Sequence, residues 1–186
     1  SGEVLIEITA TAVNRADVMQ RLGFYPPPPG ASPILGLEAA GRILALDEEG
    51  AARGLFVGQR VMVLLAGGGY AERVVVPAGQ VMPIPAGLSD EEAAAIPEVY
   101  LTAFLNLFVL GGLPFLLPDA PGRDARSAKS ALIHGGASGV GTAALSLLRV
   151  AGITAYCTVG AEERIPTCQS LGAAATICYR TTDFVE

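Results

Sequence analysis

The sequence predicts an α/β protein with two differently built halves. Residues 37–85 are rich in β-branched residues and glycine turns, the pattern of a small, strongly bent β-domain or partial barrel. From residue 131 onwards, short apolar runs alternate with helix-like segments, which predicts parallel β-α-β units. The first of these runs leads into its helix through a glycine-rich turn, IHGGASGVGTAA (133–144).

Composition limits the classes of function. Of the 186 residues, 51% are hydrophobic and 16% are charged, which indicates a well-filled core and excludes a disordered chain. The net charge of −6 argues against a nucleic acid or an anionic membrane as partner, because such partners repel an acidic protein. No secretion signal opens the sequence, so we expect a cytoplasmic protein.

Two further features indicate ordinary core. The three cysteines, at positions 157, 168 and 178, form no C-x-x-C pair and have no nearby histidine, so we expect buried thiols and no metal site. The uncharged stretch LTAFLNLFVLGGLPFLLP approaches the length of a membrane span, but Gly111, Gly112 and Pro114 interrupt it. We expect a buried helix of about ten residues there, followed by a loop over 111–130.

The N-terminal half begins with a strand. Val4, Ile6 and Ile8 alternate with polar residues, which is the period of a half-buried strand. Asn14 can cap a short helix, NRADVMQRLG, that closes at Gly23. The segment FYPPPPGASP then predicts a stiff, extended loop, and the β-rich region follows it.

The C-terminal half begins with helices. Ser89 or Asp90 caps LSDEEAAAIPEV, and YLTAFLNLFVLG continues as a second, apolar helix. After the loop we expect strands at 131–134, 153–159 and 174–179, with helices over 139–151 and near 162–171. The predicted domains are residues 1–97 and 98–186.

The glycine-rich turn predicts a dinucleotide site, because such a turn lets backbone N–H groups at a helix N-terminus approach a pyrophosphate. The pattern G-x-G-x-x-G/A fits only from Gly139 through Val140 and Gly141, but the turning glycine should lie nearer the strand. We therefore expect Gly136 to make the turn, Ser138 to take the second-glycine place and Gly141 to pack the helix on the sheet. Gly139 then allows close approach of the phosphates; a purely structural turn is the alternative.

The following strand favours NADPH over NADH. NAD sites end this strand with an acid that binds the ribose 2′-hydroxyl, whereas here it ends at Gly160 with Ala161 after it. Arg164, one helical turn further on, can pair with a 2′-phosphate. Glu162 and Glu163 oppose this interpretation unless they point to solvent, and a solvated helix charge is the alternative role for Arg164.

Several stretches together resemble the medium-chain dehydrogenase/reductase superfamily, and within it the zinc-free quinone oxidoreductases. They are NRADVMQRLGFYPPPPGASPILGLEAAG, GGGYAERVVVP, AAAIPEVYLTAF, IHGGASGVGTAA and LGAAATICY. The resemblance implies a GroES-like substrate domain followed by a partial Rossmann cofactor domain, with the active site between them. It also implies NADPH as cofactor, a small-molecule quinone as substrate and a homodimer for the full-length protein.

The resemblance also assigns residues. It implies that Asn14 and Thr102 lie near the nicotinamide, that Tyr25 borders nicotinamide and substrate, and that Tyr179 contacts the adenosine phosphate. Taken alone, Asn14 can instead be a helix cap and Thr102 a helix hydroxyl bonded to its own backbone, while the aromatic ring of Tyr25 suits stacking on a quinone. Zinc-dependent relatives have a cysteine in place of Asn14 and a histidine in place of Leu37, so the zinc route to alcohol oxidation is not expected.

Other functions stay open at this stage. Related folds reduce activated double bonds, so an enoyl-thioester reductase is a second possibility, although an acidic protein suits an acyl carrier or coenzyme A poorly. A nucleotide-binding protein without turnover is a third. The resemblance further implies a piece of a longer protein, or a truncated one, that lacks the first strands and the second mononucleotide unit.

Overall fold

The computed structural model describes residues 2–115 and 129–184, and the chain divides into two compact units, Ser1–Glu98 and Val99–Glu186. Most of the predicted loop over 111–130 lies outside the described residues. In the described part of the chain, no helix is long and apolar enough to cross a membrane.

The first unit is built on a five-stranded antiparallel sheet with the strand order β4-β1-β2-β3-β5. Its strands are β1 (Glu3–Thr11), β2 (Glu38–Leu46), β3 (Arg60–Leu64), β4 (Arg73–Pro77) and β5 (Val81–Pro83). Short helices accompany the sheet: α1 (Arg15–Arg21), α2 (Glu48–Ala52) and α3 (Asp90–Ala94). The small β-domain expected from the sequence is confirmed.

The core of this unit follows from the alternation in β1. Val4 and Ile6 are fully buried and pack with Ile43 of β2 and Val61 and Val63 of β3. At its far end β1 meets the beginning of β2, where Thr11 lies opposite Ala39. This pairing brings the residues that follow β1 close to the residues that open β2.

The second unit contains a three-stranded parallel sheet with the order β6-β7-β8. Its strands are β6 (Ser130–His134), β7 (Thr154–Val159) and β8 (Ala173–Cys178), joined by the helices α5 (Gly139–Ala151) and α6 (Ile165–Ser170). Helix α4 (Pro97–Phe104) spans the division between the units. The α/β class with a partial Rossmann-type sheet is confirmed.

Three details differ from the prediction or sharpen it. The second apolar helix continues beyond α4 as a wider π-helical turn, Leu105–Leu110, where the Asn106 amide donates to the Thr102 carbonyl at 2.8 Å. The helix expected near 162–171 begins with a 3₁₀ turn, Glu162–Arg164, before α6. Of the two possible caps of α3, Ser89 is the one used, and its side chain accepts from the Glu92 N–H.

Candidate functional site: a nucleotide cavity and a buried carboxylate cluster

The glycine-rich turn leaves β6 through Gly135. Its φ of 70° is the left-handed conformation that favours glycine, and its carbonyl accepts from the Ser138 N–H at 2.8 Å. Gly136 is the first central residue of the β-turn that this hydrogen bond closes, and its predicted role in turning the chain stays a prediction. Gly136 is also buried against β7, where an added Cβ would lie 2.7 Å from the Cys157 Sγ atom, so a side chain is excluded by packing.

The beginning of α5 depends on close contacts. Ser138 caps the helix by accepting from the Gly141 N–H at 3.1 Å, so this hydroxyl already has a partner within the turn. An added Cβ on Gly141 would lie 2.3 Å from the Gly135 carbonyl oxygen, whereas one on Gly139 would meet the Val99 side chain at 3.1 Å. Gly141 thus packs the helix tightly on the turn, as its predicted role requires, and Val140 between them is 39% exposed.

A cavity of about 320 Å³ lies beside this turn, entirely within the second unit. It is lined by the turn, by the ends of β7 and β8, and by the residues that follow them: Gly135, Ala137, Ser138, Val159, Gly160, Ala161, Arg164, Tyr179 and Arg180. The carboxyl ends of parallel strands are where open α/β sheets bind ligands. Ser138, Gly160, Arg164 and Tyr179 thus share one cavity, while Gly136, Gly139, Val140 and Gly141 are not part of its lining.

The charged side chains that line this cavity are positive. Arg164 and Arg180 line it, whereas neither Glu162 nor Glu163 does. The Glu162 carboxylate accepts from the Thr181 hydroxyl at 3.1 Å. The acids that opposed a phosphate site in the sequence thus lie outside the lining.

Tyr179 forms one wall of the cavity by lying over Gly160. An added Cβ at position 160 would lie 2.6 Å from the Tyr179 hydroxyl oxygen and 3.2 Å from the ring carbon that carries it. The Tyr179 backbone N–H also donates to the Val159 carbonyl at 3.1 Å. Gly160 therefore makes room for the aromatic ring.

In the first unit, Asn14 is held by two acids. Its backbone N–H donates to the Asp17 carboxylate at 2.8 Å, and its side-chain Nδ2 donates to the Glu38 Oε1 atom at 2.7 Å. Glu38 also accepts from the Glu98 N–H at 2.9 Å. Asn14 occupies the cap position of α1, as predicted, but its amide is committed to Glu38.

Asp17 and Tyr70 complete a buried carboxylate cluster, which we define as Asp17, Glu38 and Glu98 with their donors. Asp17 is 3% exposed and accepts from the Gly36 N–H at 3.0 Å and from the Tyr70 hydroxyl at 3.1 Å. Glu38 is 1% exposed. All four oxygens of these two buried carboxylates thus have a donor, as buried charge requires.

Burial dominates the ionisation of the carboxylate cluster. It raises the pKa of Glu38 above its ordinary value, with the Asp17 charge adding to the rise, while the hydrogen bonds from the Glu98 N–H and Asn14 oppose it. Burial, and then the charges of Glu38 and Asp17, also raise the pKa of Glu98. The pKa of Tyr70 rises to about 12, through burial and then its bond to Asp17, so its hydroxyl stays a donor at neutral pH.

The other predicted site residues are more isolated. Tyr25 is 52% exposed and lies between α1 and the proline run in the first unit. Thr102 is half-buried in the last turn of α4, in the second unit. Their roles near a nicotinamide stay predictions.

Within residues 2–115 and 129–184, no group of three or more histidine, cysteine or acidic side chains is arranged to hold a metal ion. The Asp17 and Glu38 carboxylates are engaged by hydrogen-bond donors. The polar groups in and around the carboxylate cluster are thus amides, a phenol and carboxylates.

Sequence reasoning missed two sets of residues. Arg180 follows the predicted strand 174–179 directly, and its position at a carboxyl strand end was the available signal. Glu38 stands alone among apolar residues in GLEAAG, and an acid in such a run signals a buried carboxylate. The partnership of Glu38 with Asn14 joins residues 24 positions apart, and no local pattern reveals it.

The sequence and the fold can be compared with those of known proteins. Residues 1–86 match the alcohol dehydrogenase GroES-like domain. Over its whole length the chain is 37% identical to the synaptic vesicle membrane protein VAT-1 homolog of Danio rerio, and it spans 36% of that protein.

Solved structures of a quinone oxidoreductase and an enoyl reductase match the fold of this chain. The Escherichia coli quinone oxidoreductase complexed with NADPH matches 99% of this chain with a TM-score of 0.79 and 29% identity. The CurK enoyl reductase matches 97% of it with a TM-score of 0.77 and 30% identity. In both cases the chain spans 52% of the solved chain. With its GroES-like unit followed by a parallel sheet and glycine-rich turn, the chain is similar over nearly its whole length to quinone oxidoreductases.

Proposed function

We propose that the full-length protein is an oxidoreductase that uses NADPH to reduce quinones. The observation that carries the proposal is the cavity beside the Gly135 turn, because it combines a helix N-terminus with two arginines and has no acid in its lining. The similarity to a quinone oxidoreductase solved with NADPH supports the same cofactor and substrate class.

The residues of the cavity fit the adenosine end of NADPH. Arg164 and Arg180 supply two guanidinium groups for a 2′-phosphate, and Ala161 stands where an NAD site has its acid. Tyr179 offers a ring and a hydroxyl beside them, as its predicted contact with this phosphate requires. Backbone N–H groups at the beginning of α5 supply positive dipole ends for the pyrophosphate.

NADPH, when bound, supplies the reducing hydride. The chain itself then has to bind, orient and exclude water. The half-exposed ring of Tyr25 provides a flat surface for a quinone, and Asn14 and Thr102 provide hydrogen-bonding groups for the reacting rings. Reduced quinone oxygens take protons from water, so no dedicated acid is needed among these residues.

The cofactor assignment is tested by titrating the full-length protein with NADPH and NADH. We expect R164A and R180A each to weaken NADPH binding about tenfold, which corresponds to about 1.4 kcal/mol, and to leave NADH binding nearly unchanged. Arg21, an exposed arginine at the end of α1, provides the matched control R21A. Equal losses for NADPH and NADH would contradict a 2′-phosphate site at these arginines.

The substrate assignment is tested by following the absorbance of NADPH as an ortho-quinone is added. Consumption of NADPH supports the quinone reductase. Similarity to the CurK enoyl reductase favours one second candidate, an enoyl-thioester reductase, so a crotonyl thioester is assayed in parallel. Tight binding of NADPH with neither acceptor reduced would leave a nucleotide-binding protein without turnover.

Three expectations from the resemblance belong to this proposal. Catalysis without zinc is tested by metal analysis and by activity after treatment with a chelator. A homodimer is tested by light scattering on the full-length protein, and a cytoplasmic location by fractionation of cells. Bound zinc at one ion per chain, lost together with activity, would overturn the first of these.

A further inference from the structure

The Glu38 carboxylate is engaged at both oxygens. Oε1 accepts from the Asn14 Nδ2 atom at 2.7 Å and Oε2 accepts from the Glu98 N–H at 2.9 Å. The residue is 1% exposed, and the Thr11 hydroxyl holds its backbone carbonyl at 2.7 Å. Main chain and side chain of Glu38 are thus both fixed at the beginning of β2.

This arrangement decides which way the Asn14 amide faces. An ionised carboxylate only accepts hydrogen bonds, so the NH₂ end of the amide must point at Glu38. The carbonyl oxygen Oδ1 then faces the Asp17 N–H in the capping box of α1, and its second lone pair is left for a bound molecule. The Asp17 carboxylate accepts from the Asn14 backbone N–H at the same time, so hydrogen bonds fix both the main chain and the side chain of Asn14.

We propose that Glu38 is a positioning residue that fixes the Asn14 amide with its Oδ1 atom presented as a hydrogen-bond acceptor to the reacting groups. This inference rests on the proposed function, in which Asn14 belongs to the active site. Glu38 touches neither substrate nor cofactor and acts only through Asn14.

The chemistry of the cluster argues for a role beyond packing. Burial penalises a charged Glu38, and two further acids lie nearby, so a neutral side chain of the same size would be the cheaper filler. A glutamine, however, has one accepting and one donating end. Because the Glu98 N–H still needs an acceptor, the glutamine oxygen would face that N–H and the glutamine NH₂ group would face Asn14. The Asn14 amide would then turn over to accept from the glutamine.

The variant E38Q tests this directly in the full-length protein. We expect kcat for quinone reduction to fall about tenfold or more, with the KM for NADPH nearly unchanged, because the site loses one acceptor and gains a donor. The double variant N14D/E38Q restores the pairing, since the introduced glutamine can donate to the introduced carboxylate, which also presents an acceptor oxygen. We expect the double variant to regain most of the lost kcat, whereas N14D alone places two carboxylates against each other and stays poor.

E91Q is the matched control, because it makes the same substitution at an exposed glutamate of α3 outside the carboxylate cluster. We expect E91Q to retain kcat. Full activity of E38Q, or a double variant no better than either single variant, would overturn the proposal.

A readout without turnover separates this inference from the proposed function. The Asn14 side-chain amide gives a ¹H–¹⁵N resonance that is assigned by its loss in N14D. In the wild-type protein we expect a downfield, slowly exchanging resonance that E38Q shifts and E91Q leaves in place. If the wild-type protein reduces no quinone but this pattern holds, the proposed function fails and the positioning of Asn14 stands. An unchanged resonance in E38Q overturns the positioning role whatever the activity.

Discussion

Replacing Gly141 with alanine separates two opposing effects in the glycine-rich turn. Gly141 lies in the first turn of α5, where alanine is intrinsically the better helix former by about 1 kcal/mol. Against this, the new Cβ would lie 2.3 Å from the Gly135 carbonyl oxygen and 2.8 Å from two Gly136 backbone atoms. Real Cβ atoms do not approach this closely, so the turn or the helix has to move.

Packing outweighs propensity at this position. Overfilling a close contact costs about 3 kcal/mol when backbone must yield, so we expect G141A to lose about 2 kcal/mol net of the gain in helix propensity. For a unit of this size that loss lowers Tm by roughly 8–16 °C.

G139A provides the matched control two residues earlier in the same helix. Its Cβ would meet only the Val99 Cγ1 atom, at 3.1 Å, and a side chain can give way by a few tenths of an ångström. We therefore expect G139A to be neutral or slightly stabilising. Urea unfolding and thermal melts of the two variants measure the difference. A G141A protein as stable as the wild type would refute the claim that this glycine is required by packing.

Three other predictions follow from single contacts. Hydrogen bonds from the Thr9 hydroxyl, and then from Arg60, hold the pKa of Asp90 below its ordinary value. The Asp90 carboxylate therefore stabilises the fold at pH values above that ordinary value, and this contribution is lost as pH falls through the lowered pKa. D90N should thus melt at a lower temperature than the wild type at neutral pH, and the difference in Tm should close in acid. Y70F removes one donor from Asp17 and should lower the free energy of unfolding by about 1 kcal/mol in urea titrations. Burial and a neighbouring thiol raise the pKa of Cys168 to about 11, so mass-spectrometric mapping should find it unlabelled by thiol reagents until the protein unfolds.

The fold was largely predictable because its signals are local. The predicted helix 139–151 coincides with α5, since small residues open it and Gly152, with a φ of 68°, ends it. The alternation of Val4, Ile6 and Ile8 located β1 because one face of the strand lies on the core. The π-helical turn after α4 was not predicted, because its wider backbone bonding, as from the Gly111 N–H to the Asn106 carbonyl, leaves no mark on the apolar pattern.

The candidate sites were predictable only in part. The glycine-rich segment was found, but the left-handed conformation of Gly135 and the packing of Gly136 against Cys157 were not, because β7 begins only after 19 intervening residues. The arginine at 164 was found from its place after β7. The carboxylate cluster was missed, because its hydrogen bonds join residues that are distant in the sequence. Asn14, after β1, donates to Glu38 at the beginning of β2, and Glu38 accepts from the Glu98 N–H 60 residues later.

The contact between Tyr179 and Gly160 couples two positions that are far apart in the sequence. Any side chain at position 160 would push the ring away from the cavity, and since the ring is 50% exposed it can swing out without disturbing the core. A change at position 160 would therefore reshape the nucleotide cavity while leaving stability almost untouched. Among related sequences the two positions should vary together, with an aromatic residue at 179 accompanied by glycine at 160 and larger residues at 160 accompanied by smaller ones at 179.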